Sequence, residues 1–206
     1  MFKTISENVT AEIVEKKSKF IANTFYVEST EEAENIIKEI KKKYFDARHN
    51  CFAYSIFTKE GIVNRFSDDG EPSGTAGAPM LNILTSQNLS NILVIVTRYF
   101  GGILLGTGGL VRAYTGAVIE TLDNSLEVYK DLGLEVELEV TYSDFEKAKY
   151  YLKQNNIKIV HLNYSENISI FIEITNQKLE TLKENEVNLN FNIVKQKIIK
   201  EKYIEI

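Results

Sequence analysis

Apolar and polar positions alternate in residues 8–28 (Val9, Ala11, Ile13; Phe20, Ala22; Phe25, Val27), which predicts two strands joined by a turn near Lys16–Lys19. Ser29 and Glu32 fit a capping box, and Ala33, Ile36, Ile37, Ile40 and Tyr44 follow at helical spacing, so a helix should end near Lys43. Cys51 to Phe57 should be a strand, Lys59-Glu60-Gly61 a hairpin turn, and Ile62 to Ser67 the return strand. Asp68-Asp69-Gly70-Glu71-Pro72-Ser73-Gly74 has loop chemistry throughout, and a helix from Thr75 to Ser86 should follow, with Pro79 near its start. Ile92 to Thr97 is apolar enough for a strand buried on both faces. It runs into a glycine-rich turn, after which Leu110, Val111, Tyr114, Ala117, Val118, Thr121 and Leu122 resume a helical period with Thr107 as the expected N-cap. Gly116 inside that helix costs about 1 kcal/mol against alanine unless close packing requires it.

The pattern restarts after Tyr129-Lys130-Asp131, which predicts two domains, 1–129 and 131–206. In the second, Leu134, Val136, Leu138 and Val140 alternate as a strand, and Asp144 should cap a helix bearing Phe145, Ala148, Tyr151 and Leu152. Ile157–Leu162 and Ile168–Ile174 should be strands, Leu179 and Leu182 should mark a short helix, and Leu189, Phe191 and Ile193 should open the last strand. The order βαββαβ is that of a ferredoxin-like sandwich, so the fold class expected is α+β.

Composition narrows the setting. With 44% apolar residues the chain is an ordinary globular protein, and its longest apolar run, Ile92–Val96, is far too short to span a bilayer. The first residues have no apolar signal region and there is one cysteine, Cys51, so the expected location is cytoplasmic. A net charge of −5 argues against a broad basic surface, though not against a local basic pocket.

The rare residues cluster. The four arginines (Arg48, Arg65, Arg98, Arg112), both prolines and ten of the eleven glycines lie between residues 48 and 116, while lysine supplies positive charge elsewhere. Arginine offers a planar fork of donors for phosphate or carboxylate, and glycine allows close approach to the backbone. Gly101, Gly102, Gly106, Thr107, Gly108 and Gly109 connect a strand to a helix N-terminus, whose free N–H groups attract anions. Arg112, one turn into the helix, and Arg98, at the strand end, should reach the same anion. The segment is neither a Walker A loop nor a dinucleotide fingerprint, since no Gly-Lys-Ser/Thr follows and Val111 holds the third glycine position. The alternative is that the glycines serve tight packing and the arginines pair with Asp68, Asp69 and Glu71. Those three carboxylates also form a candidate Mg²⁺ site, although a solvated turn is the simpler reading. His49 and Cys51 share a strand face and so invite a thiol–imidazole reading; packed side chains are the ordinary outcome.

Three stretches carry a resemblance. Ala47-Arg48-His49-Asn50-Cys51-x-Ala53-Tyr54, Phe66 to Gly77 (FSDDGEPSGTAG) and Val96 to Tyr114 (VTRYFGG, then LGxGGLVRAY) are similar to the Impact family in its bacterial YigZ-like branch, as is Lys16 to Ala22. The resemblance implies a ribosomal protein S5 domain 2-like N-terminal domain, a β-rich layer with helices on one face. It implies a ferredoxin-like C-terminal domain similar to the last domain of elongation factor G. Eukaryotic relatives are linked to translation control through protein competition. Three functions follow as expectations. The first is a non-catalytic binding or regulatory protein that contacts RNA, the ribosome or a translation factor, with the arginines on phosphates and His49 and Tyr99 stacking. The second is a protein-interaction regulator. The third is an enzyme acting on a small phosphorylated ligand, with Asp68, Asp69 or Glu71 as acid–base or Mg²⁺ groups.

Overall fold

The computed structural model describes residues 1–58, 60–184 and 189–206. Two units are distinguished, Phe2–Tyr129 and Lys130–Ile206, the latter with Met1. Lys59 of the expected hairpin turn lies outside the described residues. The division falls inside a continuous strand, β7 (Glu127–Val140), where the sequence pattern suggests a break.

The first unit begins with a strand the alternation did not predict, β1 (Phe2–Ile5); beside it Ser6 N–H donates to the Leu126 carbonyl at 2.9 Å. β2 (Val9–Glu15), β3 (Ser18–Tyr26), β4 (His49–Thr58), β5 (Gly61–Ser67) and β6 (Ile92–Tyr99) form one antiparallel sheet in the order β2-β3-β6-β4-β5. Successive side chains of a strand point to opposite faces, and both faces are covered. On one, Phe20, Ala22, Cys51, Ala53, Val94 and Val96 pack against α2 (Gly77–Ser86) and α3 (Gly106–Asp123). On the other, Phe52, Tyr54, Ile56, Leu93 and Ile95 pack against Ala33, Ile37 and Ile40 of α1 (Thr30–Lys43). The expectation of helices on one face is therefore corrected. The short run Ile92–Val96 is apolar at every position because it has a helix-covered core on either side.

Local signals account for the helix ends. Ser29 Oγ accepts from Glu32 N–H at 3.1 Å, while the Glu32 carboxylate reaches back one residue beyond the usual box, to Glu28 N–H at 2.8 Å. Glu31 and Glu32 stand in the first turn of α1 and Lys41–Lys43 in its last, as the helix dipole favours. α3 begins at Gly106 with Leu105 as N-cap, so Thr107 is inside the helix and is not its cap. Gly116 does not mark a close approach: a Cβ there would meet Ile13 Cδ1 at 3.7 Å, an ordinary contact. Gly116→Ala is accordingly expected to stabilise the first unit by about 0.5–1 kcal/mol, read as a raised midpoint in urea with an unchanged slope.

The second unit holds α4 (Tyr142–Gln154), β8 (Lys158–Tyr164), β9 (Ile168–Ile174), α5 (Asn176–Glu184) and β10 (Lys195–Glu205). Its strands run in the order β8-β9-β7-β10, all pairs antiparallel. This is the arrangement of a ferredoxin-like sandwich. Thr141 is the N-cap of α4, and Asp144 sits in the first turn, where the Asn192 and Thr141 donors and Lys147 hold its carboxyl below the usual range. The last strand opens at Lys195, after Leu189, Phe191 and Ile193, which pack on the core from irregular chain. Among the described residues no helix is long and apolar enough to cross a membrane.

Candidate functional site

The loops at one end of the first sheet bring together most of the residues singled out by the sequence. β4 and β6 are antiparallel neighbours with His49 opposite Arg98, so both side chains lie on the face covered by α2 and α3. Arg98 is buried there. Its Nη1 donates to Glu71 Oε1 at 2.7 Å, Tyr114 Oη donates to the same oxygen at 2.8 Å, and both carboxylate and guanidinium are more than 90% buried. Arg98 Nη2 reaches Ser18 Oγ at 3.5 Å, and Ser18 Oγ accepts from Gly101 N–H at 3.2 Å. The guanidinium also lies over the Phe20 and Phe100 rings, 5.4 and 5.7 Å from their centroids. Its Nε has no hydrogen-bond partner among the described residues.

The acidic loop is occupied by protein donors. Asp68 Oδ1 accepts from Ala76 and Gly77 N–H at 3.0 and 2.8 Å, and Oδ2 from Gly74 N–H at 2.8 Å, so Asp68 serves the start of α2. Asp69 Oδ2 accepts from Asn50 N–H at 2.7 Å and Oδ1 pairs with Lys41 at 2.6 Å. With Glu71 facing Arg98, the three carboxylates turn to different partners. Among the described residues no three His, Cys, Asp or Glu side chains are gathered as a metal site. In this structure the three carboxylates are engaged by protein donors.

His49 and Cys51 do share a face but do not pair. His49 Nδ1 contacts the Asp69 carbonyl at 2.9 Å, with Nε2 4.0 Å from Glu71 Oε1, and the Cys51 thiol donates to the Asp68 carbonyl at 2.9 Å. Burial, reinforced by the neighbouring carboxylates, pushes the Cys51 thiol up to about 12. The same environment drives the Tyr114 phenol far above its ordinary range. Both groups are therefore held in their protonated forms at neutral pH.

The four arginines do not converge. Arg65 sits on the α1 face, opposite Tyr54, and pairs with Glu34 at 2.6 Å. Arg98 is on the other face, neutralised by Glu71. Arg48 is exposed just before β4, and Arg112 is exposed on α3. Tyr99 donates its hydroxyl to Asp46 at 2.8 Å, a bond that holds its pKa above the usual value. Gly101 brings β6 against the backbone of the Lys16–Lys17 turn, while Gly106, Thr107 and Gly108 stand exposed at the start of α3. Leu105 gives no side-chain cap and no acidic residue lies in the first turn of this 18-residue helix, whose N-terminal end carries the positive end of the dipole. A cavity of about 180 Å³ beside it is lined by Lys16, Arg112, Glu15, Leu105 and Gly109, with Ile13 and Ala113 completing the wall. The sequence alone did not point to Tyr114, Ser18 or Lys16. A tyrosine on the buried stripe of a helix is the one signal that was available, because a buried phenol needs a partner.

Comparison with known proteins adds to this geometry. The family model described as the Impact N-terminal domain matches residues 16–122, and that of a domain of unknown function (DUF1949) matches residues 138–185. The IMPACT family member YvyE of Bacillus subtilis is 41% identical over 165 residues, 80% of this chain and 76% of that one. The IMPACT family member YigZ of Escherichia coli is 38% identical over 150 residues, 72% of this chain and 74% of its own. A crystal structure of a hypothetical protein aligns with all of this chain and 97% of that one, at 29% identity and a TM-score of 0.64. The first of these models spans every loop that builds the buried Arg98–Glu71–Tyr114 group and the exposed start of α3, and both relatives align with more than two thirds of this chain: this protein belongs to the IMPACT family.

Proposed function

We propose that this chain is a non-catalytic binding protein of the translation apparatus that takes a phosphate-bearing partner, RNA, at the start of α3. One observation carries the reading. The exposed N-terminus of α3, uncapped and free of acidic residues, stands beside exposed Arg112 and Lys16. Free N–H groups, a helix dipole and two cations are complementary to phosphate oxygens. Glu15 is on the same wall and would repel an anion that sat deep in the cavity, which favours a backbone phosphate at its mouth. The non-catalytic reading is supported by the thiol held un-ionised and by Asp68, Asp69 and Glu71, each engaged by protein donors. The link to translation rests on the family resemblance.

Arg98 has no part in this contact, since Glu71 already holds it. Affinity for a single-stranded RNA oligonucleotide, measured by fluorescence anisotropy across a salt series, is expected to fall steeply with salt. Arg112→Ala and Lys16→Ala should each flatten the log–log slope by roughly 0.7. RNA binding absent at low salt, or slopes unchanged in both variants, would overturn the reading. A protein partner is the second reading, favoured by Phe100, Ile103 and Leu104, which stand 47%, 43% and 83% exposed in the adjoining loop. Exposed apolar groups of this kind mark protein contacts more than phosphate contacts.

A further inference from the structure

β5 is an outer strand of the first unit's sheet. It pairs with β4 on one side, and among the described residues no strand pairs with its other side. Outer strands ordinarily carry charges, bulges or proline that discourage pairing with another chain. The other long outer strands have such devices. β2 carries Glu12 and Glu15. β8 shifts register between Ile159 and His161. β10 carries Lys195, Lys197, Lys200, Glu201, Lys202 and Glu205, and a shift between Ile198 and Lys200. β5, Gly-Ile-Val-Asn-Arg-Phe-Ser, keeps a regular register from Ser67 to Gly61 and has a single charge, Arg65, already paired with Glu34 at 2.6 Å. Ile62, Val63 and Phe66 are 56%, 38% and 47% exposed.

The segment is also complementary to itself. We propose that β5 pairs antiparallel with β5 of a second copy, about a two-fold axis through Asn64, so that two five-stranded sheets become one continuous sheet. In that register Ile62 of one copy lies opposite Phe66 of the other, and Val63 opposite Arg65. Ile62 and Phe66 share a face, so the axis gathers two aromatic–β-branched pairs, the kind of cross-strand contact that stabilises a sheet. No like charges lie directly opposite, and each arginine keeps its own Glu34. A self-complementary patch of this kind closes as a dimer and does not propagate. Seven residues span about 23 Å of paired strand. The proposal does not rest on the RNA reading, which concerns α3 and the Lys16–Lys17 turn.

Sedimentation velocity over a range of concentrations is expected to show a monomer–dimer equilibrium, lost in Ile62→Lys/Phe66→Lys with the melting curve retained. Asn64→Cys is expected to give a covalent dimer under mild oxidation, because the axis sets the two Cβ atoms about 4.5–5.5 Å apart, within adjustment of disulfide geometry. Ile62→Cys, opposite Phe66, should not cross-link, and the native Cys51 is buried and stays out of the reaction. A wild-type monomer at every concentration, a dimer that survives the double lysine variant, or equal cross-linking of the two cysteine variants would each overturn the proposal. Should the double lysine variant fail to fold, the pair of cysteine variants decides.

Discussion

Gly101→Ala is expected to abolish stable folding of the first unit. A Cβ built on Gly101 overlaps the carbonyl group of Lys17 and the amide nitrogen of Ser18. These are backbone atoms of the turn between β2 and β3, held by the pairing of Glu15 with Ser18 and of Lys19 with Tyr99. No flexible side chain is present to move aside, so either β6 or the hairpin must leave the sheet. The Gly101 N–H bond to Ser18 Oγ is lost in the same movement, and with it the hydroxyl that meets Arg98. Gly102 supplies the control. It has φ +86 and open space around its Cβ position, so Gly102→Ala brings only the strain of a left-handed backbone, about 1–2 kcal/mol. Urea unfolding of the two variants should separate them clearly: loss of a cooperative transition for Gly101→Ala, a modest fall in midpoint for Gly102→Ala. Equal, small effects would show that the approach of the two turns is not a constraint on the fold.

The contrast between these neighbouring glycines shows what the chain discloses about itself. That glycine clusters between residues 48 and 116 is visible in the sequence; which glycine is pressed against backbone and which merely turns is decided by a hairpin more than eighty residues away. Elements with strong local signatures were legible. Ser29 with the apolar spacing through Ile40 predicts α1, and Ile168, Ile170, Ile172 and Ile174 predict β9, because capping and alternation are local physics. β10 was displaced because it is an outer strand of lysines and glutamates, with no apolar alternation to read, whereas Leu189, Phe191 and Ile193 alternate but serve core contacts from irregular chain. At the site, the arginines stand out in the sequence by their clustering, but their partners are set by tertiary structure. Glu71 captures Arg98 and Glu34 captures Arg65, on opposite faces of one sheet, and nothing in the spacing distinguishes those pairings from the convergent pocket the sequence suggested.

The Arg98–Glu71 pair has a second consequence of large size. Arg98→Met leaves the Glu71 carboxylate buried, with Tyr114 as its remaining hydrogen-bond donor and His49 at 4.0 Å as the nearest potential cation. Breaking a buried ion pair from one side typically costs about 3–5 kcal/mol, because the surviving charge loses its compensation while remaining out of water. Glu71→Leu strands the guanidinium in the same way, and Arg98 is already short of a partner at Nε. Tyr114→Phe removes a single donor to a charged oxygen and should cost about 1.5–3 kcal/mol. The combined Arg98→Met/Glu71→Leu chain removes both charges at once. It should recover most of the stability, since a well-packed apolar replacement of a buried pair is often neutral or better. A double-mutant cycle by urea unfolding therefore predicts strong coupling between residues 98 and 71, and RNA affinity of the combined variant close to that of the wild type. Additive losses would mean that the two side chains do not depend on each other. A combined variant that folds but fails to bind RNA would place Arg98 back among the contacting groups, and Arg112 and Lys16 would no longer suffice as the anion site.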